Sequence, residues 1–170
     1  MKQESQNSAA VMKALMADMP SGVSIVTTVD DDGNPSGATL SAVMSLSLDP
    51  PLMLVAFDRK SNTLKDMQTV GKPFLIHILS GAQAELAMRF AGKGESKFEG
   101  VSWESGYLDM PQIDGASGVI ACQVCDIVPG GDHVILIGAV QNIHHDDANP
   151  TLLYHRRNMF STHRFQELAP

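Results

Sequence analysis

The sequence predicts a mainly β fold, an antiparallel Greek-key barrel with short flanking α-helices. Three observations support this class: segments typical of strands outnumber those typical of helices, no strand–helix alternation repeats along the chain, and no G-x-G-x-x-G follows a strand-like segment. The last two disfavour a Rossmann domain. The chain has 170 residues, of which 44% are hydrophobic, so it can bury a full apolar core, and we expect one domain over residues 1–170.

Charge and hydropathy exclude several classes of protein. Lys and Arg number 12, and Asp and Glu number 19, for a net charge of −7. This charge argues against binding to nucleic acid or to an anionic membrane surface. No apolar run approaches the ~18 residues of a membrane span. Residues 1–8 are expected to form a disordered tail, and the polar start of the chain has no apolar leader segment after it, so we expect a cytoplasmic protein.

The first part of the chain predicts a helix followed by a hairpin. Apolar residues at helical spacing over residues 9–19 predict an amphipathic helix that packs against the domain and stops at Pro20. The β-branched segment 23–29 predicts a strand, and the acidic turn at 30–35 returns the chain into a second strand over residues 38–48. Leucine and methionine alternate with hydroxyl-bearing residues in the second strand, so one of its faces is expected to be core.

The middle of the chain predicts further strands and two short helices. Asp49-Pro50-Pro51 ends the second strand, and the apolar residues 52–57 predict a buried strand. Ser61 or Asn62 suits the N-cap of a helix over residues 63–70, which Gly71 can end. A strand over 73–79 and a helix running from the capping-box sequence at 80–83 to Phe90 follow. Residues 92–97, charged and glycine-bearing, are expected to be a mobile loop.

The last strong signal is a long hairpin that contains both cysteines. Strands over residues 118–128 and 133–143 flank the turn sequence Pro129-Gly130-Gly131-Asp132. Cys122 and Cys125 have the spacing of a redox or zinc motif, but a strand points them to opposite faces, so we interpret them as one buried and one outward residue. The pair His144-His145 before Asp146-Asp147 also sits on a strand, where adjacent residues face opposite ways, and we expect no metal site.

A face lined with hydroxyl groups is the first candidate for a binding surface. Small hydroxyl side chains leave room for a flat ligand whose carbonyl or phosphate groups they can reach. An exposed strand that is merely rich in serine is the alternative. The face consists of Thr39, Ser41, Ser45 and Ser47.

The segment Arg59-Lys60-Ser61-Asn62-Thr63 is a candidate anion site. Two cations and several small polar side chains directly precede a predicted helix, where unpaired backbone N–H groups favour a phosphate. A solvated turn with a capping serine is the alternative interpretation.

His133 is a candidate for the chemistry. It follows a Gly-Gly-Asp turn and opens a strand, so it is expected at the mouth of the barrel, where it can donate to a substrate amide. A histidine that only hydrogen-bonds Asp132 is the alternative. Residues 154–157, Tyr-His-Arg-Arg, either grip a phosphorylated substrate or form a basic surface cluster.

Several motifs, in this order and spacing, identify the chain as similar to a known family. They are Pro20-Ser21-Gly22-Val23, Val26-Thr27-Thr28, residues 37–42 leading into 45–52, Arg59-Lys60-Ser61-Asn62-Thr63, Arg89-Phe90-Ala91, Lys97-Phe98, Gly131-Asp132-His133 and Leu153-Tyr154-His155-Arg156. The chain resembles, over about residues 19–156, the flavin reductase-like family, small NAD(P)H:flavin oxidoreductases that supply reduced flavin to two-component monooxygenases.

The resemblance implies a split β-barrel of the FMN-binding type, a homodimer, and flavin near the subunit interface. By this resemblance, the isoalloxazine and ribityl chain would lie along Thr39, Leu40, Ser41, Ala42 and Ser45, and Ser47 would add a further hydroxyl to this face. The phosphate would be surrounded by Ala56, Phe57, Asp58, Arg59, Lys60, Ser61, Asn62 and Thr63. The flavin would be covered by Phe90, Lys97 and Phe98. His133 corresponds to the family histidine on the nicotinamide side, and Tyr154 to a tyrosine near it.

The function implied is reduction of FMN or FAD by NADH or NADPH, with the reduced flavin passed to a partner monooxygenase. A non-enzymatic flavin-binding carrier or redox sensor on the same barrel is the alternative. Many relatives continue after Tyr-His-Arg with glycine and an aromatic residue, whereas this chain has Arg157 and Asn158. The roles of Arg156 and Arg157 stay open at this point.

Overall fold

A computed structural model describes residues 2–94 and 96–164, except for the side chains of residues 2–7 and 164. The helices are α1 (Lys2–Met16), α2 (Asn62–Lys65) and α3 (Ala84–Ala91), with 3₁₀ turns at Tyr107–Asp109 and Thr162–Arg164. The strands are β1 (Ser21–Gly22), β2 (Ser24–Val29), β3 (Pro35–Leu40), β4 (Val43–Leu48), β5 (Pro51–Asp58), β6 (Pro73–Ile78), β7 (Trp103–Ser105), β8 (Pro111–Ile113), β9 (Gly118–Gly130), β10 (His133–His145), β11 (Leu152–His155) and β12 (Asn158–Ser161). The mainly β prediction is confirmed.

The main sheet has seven strands in the order β3-β2-β6-β9-β10-β5-β4, and each neighbouring pair is antiparallel. Strands β3 and β4 lie at opposite edges, although only Ser41 and Ala42 separate them in the chain. The sheet therefore has to curl until its two edges come close together. The Ala56 N–H donates to the Ala42 carbonyl at 2.9 Å, which continues the β4–β5 pairing into this connection. This geometry is that of a split barrel.

The prediction of one continuous strand over residues 38–48 is wrong for the same reason. The chain leaves the β3 edge after Leu40 and joins the β5 edge at Val43, so the two halves belong to opposite ends of the sheet. A β-bulge between Ser45 and Ser47 then shifts the alternation inside β4. The predicted hydroxyl row is thus divided between two strands.

Helix α1 differs from the expectation in both length and packing. It begins at Lys2, within the segment expected to be a disordered tail, and ends at Met16. Side chains 8–16 are exposed, so the expected packing of this helix against the domain is wrong for the single chain. Its end is held by Arg156, whose Nε donates to Asp18 Oδ1 at 2.5 Å and whose N–H donates to the Ala17 carbonyl at 3.1 Å.

The turn between β11 and β12 holds two arginines in a backbone conformation that favours glycine. Arg156 and Arg157 have φ values of 47° and 65°, in the left-handed region that favours glycine. Arg157 is the position at which the family pattern described above has glycine. The role that the structure shows for Arg156 is to tie this turn to the end of α1.

The short helices are close to expectation. Ser61 is the N-cap of α2 and accepts from the Leu64 N–H at 3.4 Å, but the helix ends at Lys65 rather than residue 70. The chain turns there and buries Met67 completely in the core. Ahead of α3, the Gln83 side chain accepts the Ser80 N–H at 3.0 Å, which is one half of the predicted capping box.

The long hairpin of β9 and β10 is confirmed, and it places the cysteines on opposite faces. Cys122 is buried in the core, whereas Cys125 is exposed at a bulge opposite Ile137 and Gly138. Burial, with a smaller contribution from Cys125, raises the pKa of Cys122 to about 12. The Cys122 thiol therefore stays protonated and unreactive near neutral pH.

A close approach inside the barrel requires Gly138. A Cβ at this position would lie 2.5 Å from Phe74 Cζ and 2.9 Å from Cys122 Cβ, and Phe74 is completely buried. We expect Gly138→Ala to lower the free energy of unfolding by ~1–3 kcal/mol, the usual cost of overpacking. Urea unfolding measures this. Gly22→Ala, where no atom lies within 4 Å of the added Cβ, is the control and should change little.

A buried histidine makes the fold sensitive to acid. His77 Nδ1 lies 3.1 Å from the Ile25 carbonyl, and its Nε2 accepts the Ile113 N–H at 3.0 Å. The second bond requires a neutral ring with the proton on Nδ1. Burial lowers the pKa of His77 from 6.5 to about 4, against the smaller effect of the Ile25 bond.

Protonation of His77 should therefore favour the unfolded chain. The stability that the neutral ring provides is complete above pH 6.5 and is lost as the pH falls toward 4, by up to ~3 kcal/mol. Glutamine cannot titrate in this range. We therefore expect the urea midpoint of His77→Gln to change less between pH 7 and pH 5 than the midpoint of the wild-type protein. Parallel pH profiles for the two proteins would contradict this assignment.

Candidate functional site

A cavity of about 530 Å³ opens between β3, the end of β5, α2 and the loop after α3. Its volume suits a small-molecule or cofactor site. It is lined by Pro35, Ser36, Gly37, Ala38, Thr39, Leu40, Phe57, Asp58, Lys60, Ser61, Asn62, Thr63, Phe90, Ala91, Gly92, Lys93, Gly94, Lys97 and Phe98.

The β3 wall lies directly against α3 because of a glycine. A Cβ on Gly37 would lie 2.9 Å from Phe90 Cε1 and 3.3 Å from the Val26 carbonyl. Two residues further along β3, Thr39 Oγ1 donates to the Ala87 carbonyl at 2.7 Å. The Thr39 hydroxyl thus fixes the strand to the helix, and its donor is not free for a ligand.

Lys97 joins the two sides of the cavity. Its Nζ donates to the carbonyls of Gly37 and Phe90, each at 3.0 Å. Burial lowers the pKa of Lys97. Since an ammonium group has three N–H donors, one remains for a ligand. Lys97 therefore lies on the cavity wall, and its closure over a flavin stays a prediction.

Aromatic rings extend from the cavity to the surface. Phe90 and Phe98 meet edge to face with centroids 4.9 Å apart, and Phe98 meets Trp103 in the same way at 5.8 Å. Trp103 is the single tryptophan of the sequence. Its fluorescence is therefore a direct reporter of events at Phe98.

The predicted anion segment forms the opposite corner of the cavity, with one exception. Lys60, Ser61, Asn62 and Thr63 line it together with Asp58, whose carboxylate accepts the Lys60 N–H at 2.8 Å. Arg59 is the exception: its Nε donates to the Gly131 carbonyl at 2.8 Å, and it does not line the cavity.

His133 lies beside the cavity rather than on its wall. It pairs in register with Asp58, which does line the cavity, and its side chain is 44% exposed. Its Nδ1 lies 2.7 Å from Asp132 Oδ1, and this hydrogen bond lowers the pKa of Asp132. The histidine has the mouth position that the sequence predicts, and it also makes the contact of the alternative interpretation.

Other predicted residues lie away from this cavity. Tyr154 is on β11, half-buried against a cluster around Leu152, and pairs with Ser21. Ser41, Ala42, Ser45, Ser47 and Ala56 belong to the β3–β4 connection, β4 and β5, and do not line the cavity of the single chain.

The cavity is also lined by residues that were not predicted as site residues from the sequence. Ser36, Gly37 and Ala38 come from β3, and Gly37-Ala38 belongs to a motif of the resemblance. Lys93, between Gly92 and Gly94, comes from the loop expected to be mobile. The sequence pattern that could have predicted this part of the cavity is a lysine between two glycines, directly after a predicted helix.

The residues present fit a flavin. A flat ring can lie against the β3 residues that line the cavity, and the rings of Phe90 and Phe98 give an apolar wall. The lysines and small polar groups around Lys60–Thr63 suit an anionic tail. Of the described residues, no group of three or more His, Cys, Asp or Glu is placed to hold a metal ion.

Comparison with known proteins decides the family. The model of the flavin reductase like domain matches residues 16–163. The chain belongs to this family. One similar protein is the actinorhodin polyketide dimerase of Streptomyces coelicolor, 36% identical over 85% of this chain and 81% of that protein. A flavin reductase of Pseudomonas putida is 34% identical over 85% and 84%, and a flavin reductase (NADH) of Kitasatospora aureofaciens is 38% identical over 75% and 67%.

Solved structures of similar proteins share the fold. A homologue of nitrilotriacetate monooxygenase component B from Mycobacterium thermoresistibile superimposes with a TM-score of 0.87, at 29% identity over 97% of this chain and 93% of that one. An NADH:FAD oxidoreductase of Streptomyces globisporus, solved with NAD and FAD fragments, gives a TM-score of 0.81 at 26% identity, over 94% and 92%. No helix among the described residues is long and apolar enough to span a membrane.

Proposed function

We propose that this flavin reductase-like protein catalyses the reduction of a flavin by NADH or NADPH and supplies the reduced flavin to a monooxygenase. The observation that carries the proposal is the cavity, in which an apolar ring-sized slot lies beside a lysine-bearing polar corner on a family barrel. Relatives named as flavin reductases, and a structural relative named as a monooxygenase component, support it.

The chain's own residues supply binding and alignment. Bound flavin and nicotinamide supply the redox chemistry, a hydride passing from the nicotinamide to the flavin. Phe90 and Phe98 would exclude water from one side of a bound flavin ring, and Gly37 lets Phe90 pack closely against β3. Lys97 holds the cavity walls together through its two carbonyl partners. Positioning of this kind removes most of the entropy cost of a two-substrate reaction.

His133 is proposed to orient the nicotinamide. It lies next to the cavity through its pairing with Asp58, is partly exposed, and keeps Nε2 available because its Nδ1 is held by Asp132. A donor or acceptor at this place suits the carboxamide of the nicotinamide. Tyr154 lies on a different sheet and does not line the cavity, but it packs in the same apolar cluster as Phe90 and Phe98, which do.

We propose a homodimer in which the β4 edge meets a second copy. Met44, Leu46 and Leu48 are 55%, 42% and 88% exposed on this edge strand, which is an unprotected surface for a monomer. A dimer here would also cover Ser41, Ala42 and Ser45. Sedimentation at micromolar concentration should give twice the 18.2 kDa of the chain, and a mass of one chain would contradict the proposal.

A cytoplasmic location is also proposed, because Cys122 and Cys125 are both free thiols.

Steady-state oxidation of NADH with excess free flavin tests the proposed activity. A reductase consumes NADH continuously for as long as oxidised flavin is supplied. A carrier or redox sensor does not, since at most its bound flavin is reduced once. NADH oxidation that stops after one equivalent, or that equals the rate without protein, would contradict the proposal.

A further inference from the structure

Helix α1 has an apolar face that the single chain leaves uncovered. Val11, Met12 and Leu15 are between 62% and 67% exposed, and Met16 is 45% exposed. These four side chains follow one another at helical spacing, three and four residues apart, so they share one side of the helix. A face of this kind is typical of a helix that packs against another surface.

The helix also needs support that its own barrel does not give it. It has 15 residues, and helices of about 12–15 residues are marginal in water unless an apolar face is packed. Its end is tied to the barrel, where Arg156 donates to Asp18 and to the Ala17 carbonyl. Side chains 8–16 are exposed. Helix α1 is therefore an arm that is fixed at one end and presents its apolar face to solvent.

Strand β4 carries a second uncovered apolar surface. It is the end strand of the seven-stranded sheet, paired with β5 on one side, and Met44, Leu46 and Leu48 are exposed on it. An exposed apolar edge strand favours association with another chain. Its length matches that of the helix: six strand residues span about 20 Å, and 15 helical residues span about 22 Å.

The two surfaces together have the size of a stable interface. They contain eight large apolar side chains that are 42% exposed or more. At roughly 100 Å² each, these side chains present on the order of 800 Å², close to the ~800 Å² that each partner buries in a standard interface. The eight are Val11, Met12, Leu15, Met16, Met19, Met44, Leu46 and Leu48.

We propose that α1 of one copy lies across β4 of a second copy, and that the second copy's α1 covers the first copy's β4 in return. In a two-fold dimer, contact of α1 with α1 would leave β4 uncovered, and contact of β4 with β4 would leave α1 uncovered. The reciprocal contact covers both surfaces with one symmetry axis. The inference rests on the homodimer of the proposed function, and it names the segment that holds the two copies together.

Sedimentation of Leu15→Asp tests the role of the arm. A carboxylate placed in an apolar interface loses its hydration without gaining a partner, so the Kd of the dimer should rise at least about tenfold. Because Leu15 is exposed in the single chain, the variant should keep the fold, which circular dichroism checks. Val70→Asp is the matched control: Val70 is 65% exposed but lies outside α1 and β4, and its dimer should match wild type.

Chemical cross-linking identifies the surface that α1 contacts. Cys125 is replaced by serine in every variant, so that the introduced thiols are the accessible ones, since Cys122 is buried. A short bis-maleimide should join the double variant Leu15→Cys/Leu46→Cys into a species of two chains on a denaturing gel. Each single variant should stay at the mass of one chain.

Several results would overturn the inference. Cross-linking of Leu15→Cys alone would place α1 against α1, cross-linking of Leu46→Cys alone would place β4 against β4, and a link within one chain would place α1 on its own barrel. An unchanged dimer in folded Leu15→Asp would also reject the arm. A wild-type mass of one chain would reject both the homodimer and the arm, whereas NADH oxidation with excess flavin tests the reductase activity separately.

Discussion

Replacing His133 by alanine should slow the reduction of bound flavin by NADH by about tenfold to a hundredfold, while flavin affinity stays nearly unchanged. The reason is its place beside the cavity rather than on its wall: it pairs with Asp58 but does not line the site. A misplacement of reacting groups by ~1 Å costs on the order of a hundredfold in rate. Stopped-flow reduction of the flavin-loaded variant measures the effect.

His145→Ala is the matched control, since His145 lies at the other end of β10, is exposed, and sits 3.8 Å from Asp147. It should leave the reduction rate unchanged. If His133 only satisfies the turn through its 2.7 Å contact with Asp132, the variant would melt slightly earlier and reduce flavin at the wild-type rate. That pattern would reject the proposed orienting role.

The second large effect is expected from Gly37→Ala. The new Cβ would lie 2.9 Å from the buried Phe90 ring, so the ring or the β3 strand has to move. The two carbonyls that accept from Lys97 belong to Gly37 and Phe90. Movement of either residue should therefore weaken the hydrogen bonds that hold Lys97 in place. We expect flavin affinity to fall about tenfold or more, together with a loss of ~1–3 kcal/mol in stability.

Gly22→Ala again controls for an added methyl group, since its Cβ would have no atom within 4 Å. Flavin titration followed by the fluorescence of Trp103, near Phe98 at 5.8 Å, reads out the affinity directly. Unchanged flavin affinity in Gly37→Ala would mean that the close contact between β3 and Phe90 does not shape the binding site.

The elements that the sequence predicts well are those set by neighbouring residues. The hairpin of β9 and β10 follows from two apolar strands and a Pro-Gly-Gly-Asp turn, and its prediction is confirmed. The Ser61 cap is also a local signal. The continuous strand over residues 38–48 failed because closure of the barrel, which is a non-local requirement, moves the chain between sheet edges after Leu40.

For the candidate site too, contacts between residues far apart in the sequence could not be predicted. Lys60 to Thr63, Phe90, Lys97 and Phe98 were predicted through the family resemblance, and the structure brings them to one cavity. The orientation of Arg59 could not be predicted, because its carbonyl partner on Gly131 lies 72 residues away in the sequence. The buried role of His77 likewise depends on Ile25 and Ile113, which no local pattern connects to it.

A crystal structure of the protein with bound flavin tests the central claim most directly. We expect the isoalloxazine to lie in the cavity of about 530 Å³, against β3 and near Phe90 and Phe98, with its phosphate toward Lys60–Thr63. Flavin in a smaller cavity of about 310 Å³ beside Gln83 and Arg89, or a phosphate directed away from Lys60, would contradict this placement.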